Sequence, residues 1–124
     1  MATHSYNPTP RFGHDRLDAY AVAREALVLG ESIARELPRG HATLADQLRR
    51  ALMSAFLGIA EAASRSGADR LARFRCARGE ASEAAAALDA VQVLGLAPAE
   101  RVEPVVALLG RLYAMLTRLA KAGR

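Results

Sequence analysis

Arginine supplies most of the chemistry available to this chain. Arg65, Arg70, Arg73, Arg75 and Arg78 fall close together, with Asp69 the only acid among them, and Arg111, Arg118, Lys121 and Arg124 form a second basic group at the other end of the numbering. Guanidinium groups at this density suit the oxygens of a phosphate backbone, which they grip and position without reading base sequence. Six residues are therefore candidate nucleic-acid contacts: Arg65, Arg70, Arg73, Arg75, Arg118 and Lys121. A solvated charged face is an equally good account of the same residues. Phe74 is the one aromatic interleaved among them for base stacking, and its spacing fits a core position as well.

Other chemistries find less support. His4, His14 and His41 lie in a leading arm, at a helix edge and in a loop, so the paired Glu-x-x-His ligands of a bundle metal site cannot be assembled, and no metal or cofactor is expected. Cys76 stands between Arg75 and Arg78, which would lower a thiol pKa, yet a small residue buried between helices is the stronger reading. Without an interior histidine or a glycine-rich phosphate loop, the chain is expected not to be an enzyme. Arg50, Glu61, Arg78 and Glu83 read best as structural ion pairs, Arg50 with Glu83 and Glu61 with Arg78, that fix the register of two closely packed helices.

The elements that must carry these residues are helices. Apolar residues make up 52% of 124 residues while aromatics are only 5%, so an Ala, Leu and Val core of one domain is implied. Periodicity places helices at about 15–37, 43–65, 70–94 and 98–122, after an extended or disordered arm over 1–14 that holds Pro8, Pro10 and Gly13. Asp15, Thr43 and Asp69 are the expected N-caps, with Asp46 completing a capping-box-like arrangement after Thr43. Pro38 and Gly40, Ser66-Gly67, and Gly95 with Pro98 punctuate the chain. Short loops force antiparallel neighbours, so the fold class is all-α, an up-down-up-down four-helix bundle.

Small residues recur along the middle two helices, Ala51, Ala55, Gly58 and Ala62 on one and Cys76, Gly79, Ser82 and Ala86 on the other. An antiparallel pairing about Gly67 sets Gly58 level with Gly79, Ser54 with Ser82 and Ala51 with Ala85, a thin seam where backbones approach closely. The last helix carries Val102, Val105, Val106, Leu109, Leu112, Tyr113, Leu116 and Leu119, with Leu108 and Met115 widening the stripe. That is more apolar surface than one bundle core needs, and it marks the helix as central or as buried against another subunit.

The net charge of +4, from 17 basic and 13 acidic residues, is compatible with a polyanionic partner and with simple solubility. No apolar run is long enough for a membrane span and no secretory signal is recognised. A single cysteine gives no disulfide framework, so a reducing cytoplasm is the expected compartment.

Read together, QLRR at Gln47–Arg50, Ser54, Ile59-Ala60-Glu61, Ala77-Arg78-Gly79, Glu83, Leu88 and Leu94-Gly95 resemble a bacterial four-helix-bundle protein family. It includes proteins encoded by intervening sequences of large-subunit ribosomal RNA genes and the accessory variability protein of diversity-generating retroelements. The resemblance runs from about Leu17 to Leu119, with Phe56 where a proline is common and Ala62 where a glycine is usual, so helix two is expected to run without a kink. It implies homo-oligomeric rings, often pentamers, and, from the retroelement members, contacts with a reverse transcriptase and with RNA or DNA through basic surfaces. Together with the arginines it leads to a non-enzymatic, nucleic-acid-associated binding or adaptor protein. The rival reading is a protein-protein scaffold ring with no nucleic-acid role.

Overall fold

Four apolar stripes at helical spacing become four helices. The computed structural model describes residues 11–121. A 3-10 turn at Gly13–Arg16 leads into α1 (Asp18–Arg35), α2 (Ala42–Ala63), α3 (Gly67–Val93) and α4 (Ala99–Lys121). Residues 1–10 of the expected arm, His4 among them, and Arg124 lie outside the described residues. Neighbours in sequence pack together, α1 also packs on α4, and the diagonal pairs do not meet. Contacts fall in number on one helix as they rise on the next: Tyr20 with Phe56 and Glu31 with Arg49, Gly58 with Ala77 and Glu61 with Arg73, Arg78 with Thr117 and Gln92 with Glu103. The bundle is therefore antiparallel, up-down-up-down, as its spacing predicts.

The core is a layer of Ala, Leu and Val around Phe74, with Leu48, Ile59, Leu88, Leu112 and Leu116 fully buried. On α4 the stripe is absorbed by the chain's own bundle: Val102, Val105, Leu108, Leu109, Leu112 and Leu116 are buried, and Val106, Met115 and Leu119 pack against them. Like the other three helices, α4 packs between two neighbours, and of its large apolar residues only Tyr113 is exposed. The α2 helix runs through Phe56 and Ala62 without interruption.

Helix α3 is rotated relative to the expected seam. Phe74, Ala77, Ala81, Ala84, Leu88 and Val91 face the core, alternating three and four residues apart as in a heptad seam. Cys76, Gly79, Ser82 and Ala86 are exposed, and Gly58 meets Ala77 in place of Gly79. Burying Phe74, Leu88 and Val91 removes far more apolar area from water than burying the small-residue stripe would, and that difference sets the rotation. The α2 side of the seam is as expected, with Ala51, Ala55 and Ala62 buried. A second close approach joins α1 to α2: a Cβ on Gly30 would run into the Leu52 side chain.

Gly79 thus has no packing role to justify it. A Cβ there meets nothing within 4 Å, so Gly79→Ala should gain helix propensity at no steric cost. Urea unfolding is expected to show about 0.5–1 kcal/mol of added stability. A loss would mean that α3 presents Gly79 to α2 after all.

The expected caps are elsewhere. Asp15 precedes α1, and its carboxylate accepts the backbone N–H groups of Arg11 and Phe12, both at 2.9 Å, which hold its pKa below the usual carboxylate value. Thr43 and Asp69 lie inside their helices, whose N-caps are His41 and Ser66 without a side-chain cap bond. Gly95, at φ +67°, ends α3 as its position predicts. Leu96 N–H donates to the Val91 carbonyl and Gly95 N–H to that of Gln92, a Schellman closure.

Polar contacts pin the register at the end that holds the α1–α2 loop. Arg49 grips Glu31 with two hydrogen bonds of 2.9 and 3.2 Å between α2 and α1, Arg101 of α4 reaches Glu36 and Ser32 of α1, and Gln92 of α3 donates to Glu103 of α4. The bond from Arg49 holds the Glu31 carboxyl below its ordinary value, with burial opposing and the charges of Arg49 and Arg35 assisting. A depressed folded-state pKa contributes stability above the ordinary glutamate range, and that stability is lost as pH falls through the lowered value. Arg49→Gln should therefore be less stable than the parent at neutral pH and converge on it as pH falls below the ordinary glutamate range and through the lowered value. Chemical denaturation across that range measures the convergence.

Candidate nucleic-acid interface

One end of the bundle gathers the basic residues. A Cβ on Gly13 would lie 3.6 Å from the Ala63 carbonyl at the end of α2, and Arg70 at the start of α3 donates to the same carbonyl at 3.3 Å. A cleft of about 450 Å³ opens between Arg16, Leu17 and Asp18 before and at the start of α1 and Met115, Arg118 and Leu119 near the end of α4. The start of α1, the end of α2, the start of α3 and the end of α4 thus share one end, which brings Arg118 and Lys121 to the end where Arg65, Arg70 and Arg73 lie, while Arg111 stands midway along α4.

Within that end the arginines divide into two kinds. Arg65 and Arg73 are spent on a closed network. Arg65 bonds Glu61 at 2.9 Å and lies 3.6 Å from Asp69, while Arg73 lies 3.2 Å from Asp69 and 3.5 Å from Glu61. Two cations and two anions cancel, and the network ties α2 to α3. Arg70 is half-committed, since its guanidinium also lies over the ring of Phe74, 5.1 Å from the centroid. Arg75, Arg118 and Lys121 are exposed, and among the described residues no carboxylate stands within 4.0 Å of them or of Arg16.

The four residues assigned to seam ion pairs have other partners. Arg50 hydrogen-bonds Gln47 at 2.9 Å, one turn back on its own helix. Glu61 takes Arg65 and Arg73, and Arg78 donates to Thr117 of α4 at 3.4 Å with its guanidinium 5.6 Å from the Tyr113 centroid. The rotation of α3 explains the change: it carries Arg78 to the α4 side and leaves Glu83 exposed. Glu80 comes to the α2 side instead. Burial raises its pKa, a hydrogen bond with Glu83 and the Glu83 charge add to the rise, and Arg50 opposes it.

Two members of the site are hard to see in the chain. Glu61 enters the arginine cluster from α2, so the local count of acids around Asp69 understates the neutralisation. Tyr113 belongs to the basic face and not to the core. Its neighbours Val102, Val105, Leu109, Leu112 and Leu116 follow the three-four rhythm and Tyr113 falls one residue off it, which is the signal that places it outside. Phe74, the aromatic expected among the arginines, is fully buried.

A family model described as 23S rRNA-intervening sequence protein matches residues 15–118, from the turn before α1 to the last turn of α4. No curated protein matches the chain. No helix among the described residues is long and apolar enough to cross a membrane. With the match spanning nearly all of the four-helix bundle, the chain belongs to the 23S rRNA-intervening sequence protein family.

Proposed function

We propose that this protein is a non-enzymatic, cytoplasmic adaptor that associates with RNA through the basic end of its bundle. The observation that carries the reading is the presence of Arg75, Arg118 and Lys121 together at one end with no carboxylate partner among the described residues, against the neutralised pair Arg65 and Arg73. Unpartnered cations at a shared surface release counterions when they meet phosphates, whereas a closed ion network has little to release. The family's description, which refers to an intervening sequence of ribosomal RNA, supports RNA as the polyanion.

Fluorescence anisotropy with labelled RNA over a range of salt tests this. Affinity is expected to fall linearly on a log-log plot with a slope of about −2 to −4, for three to five phosphate contacts. Absence of binding at low salt, or binding indifferent to salt, would sink the reading.

A homo-oligomer is the second part of the proposal, and its support has moved from α4 to α2. Met53 and Leu57, 45% and 55% exposed and one turn apart on the outer face of α2, are the apolar pair that a second subunit would cover. Light scattering should give a mass above that of one chain, and Met53→Ser with Leu57→Ser should reduce it. A protein scaffold without RNA would keep the oligomer and fail the salt titration.

A further inference from the structure

We propose that the α3–α4 face around Tyr113 is a stacking platform for single-stranded RNA, an inference that rests on the RNA-association reading and names the form of RNA the site takes. Tyr113 is the only large apolar side chain of α4 left exposed, at 45%. Against its ring lies the Arg78 guanidinium, 5.6 Å from the centroid. That guanidinium is held in place: it donates to the Thr117 hydroxyl at 3.4 Å, which in turn donates to the Tyr113 carbonyl at 2.9 Å. An aromatic ring with an ordered guanidinium over one face leaves the outer face of the pair as a planar surface for an unpaired base, and Arg78 has no carboxylate to neutralise it among the described residues.

The surroundings match the charge of a strand and not only the shape of a base. After Glu103 the α4 sequence holds no acid, and from Arg70 to Gly79 α3 holds none. Tyr113, Thr117 and Lys121 stand four residues apart along one line of α4, about 12 Å from first to last at the helical rise. Because α3 runs antiparallel to α4 and Arg78 meets Thr117, Arg75 one turn earlier lies toward the turn that carries Arg118 and Lys121. A strand laid from Tyr113 toward Lys121 stacks a base at one end and passes its phosphates over Arg75 and Lys121, while Arg118 faces the α1 side of the same end. A duplex can satisfy those cations but cannot offer Tyr113 a base face, since its bases are stacked on each other.

Anisotropy titrations of the full chain, its Tyr113→Ala variant and its Tyr113→Phe variant distinguish the readings. Each is titrated with a labelled oligouridine, a blunt RNA duplex and an oligodeoxythymidine, all of equal length. Tyr113→Ala is expected to weaken oligouridine binding about 5- to 100-fold while duplex binding changes less than about twofold, and Tyr113→Phe should retain oligouridine binding. Equal weakening on both RNA forms, or none on either, overturns the platform while leaving RNA association standing. Tighter binding of oligodeoxythymidine than of oligouridine by the parent overturns the assignment to RNA. If the parent binds none of the three, the underlying reading fails and the platform with it.

Discussion

Replacing Phe74 with alanine is expected to cost about 3–5 kcal/mol of folding stability, the largest effect of any single truncation in this bundle. Its ring is fully buried at the end where α3 begins, and the remaining core is built largely from Ala, Leu and Val. Removing it empties a volume that alanines across the interface cannot refill, because their methyl groups have no rotamer to change. Arg70 loses its surface as well, since its guanidinium lies 5.1 Å from the ring centroid. Against a total stability of order 5–15 kcal/mol, this is roughly a fifth of the fold or more. Urea denaturation of Phe74→Ala and Phe74→Leu measures it, with leucine expected to recover most of the loss. A cost below about 1 kcal/mol for alanine would show that the ring is not packed as described.

Reversing the unpartnered cations should have the largest effect on binding. Arg75→Glu combined with Lys121→Glu is expected to weaken RNA binding about 100-fold at low salt and to reduce the magnitude of the salt slope by about two. Both residues are exposed and without carboxylate partners among the described residues, so each substitution removes a phosphate contact and adds a repulsion. Arg65→Gln lowers the net charge too, but its donors already face Glu61 and Asp69. Its effect on affinity should be a few-fold, and its main cost should appear in stability through the α2–α3 tie. If Arg65→Gln matches the double variant in salt slope, the division of the arginines into spent and available groups is wrong.

The bundle was largely legible in the chain because its punctuation is strong. Pro38 with Gly40, Ser66-Gly67 and Gly95 with Pro98 stop and start helices where periodicity also changes, and the helix bounds fall within a few residues of the expected ones. The rotation of α3 was not legible from small residues, since alanines occur around its whole circumference and offer no contrast between faces. Phe74, Leu88 and Val91 held the missing information: three large apolar residues that share one heptad seam outweigh any stripe of Ala, Ser and Gly. An error of one residue in that helix propagates to every cross-helix partner. This is why Arg78 faces Thr117 and not Glu61, and why Arg50 pairs within its own helix. The arginine end was legible as a concentration of charge, whereas the cancellation of Arg65 and Arg73 was not, because Glu61 reaches them from a different helix.

Because α1 begins and α4 finishes beside the arginines, residues 11 and 121 emerge at the same end as the basic face. An acidic fusion joined beyond residue 11 or 121 would bring negative charge near that face, where it would compete with the polyanion proposed to bind there. The opposite end is the better handle. Pro38, Arg39 and Gly40 are exposed there in the α1–α2 loop, and Gly40 with φ +94° has nothing within 4 Å of a Cβ. A fluorophore or biotin placed at Arg39 would present the arginine end outward, with the proposed nucleic-acid face on the far side of a bundle roughly 35 Å long.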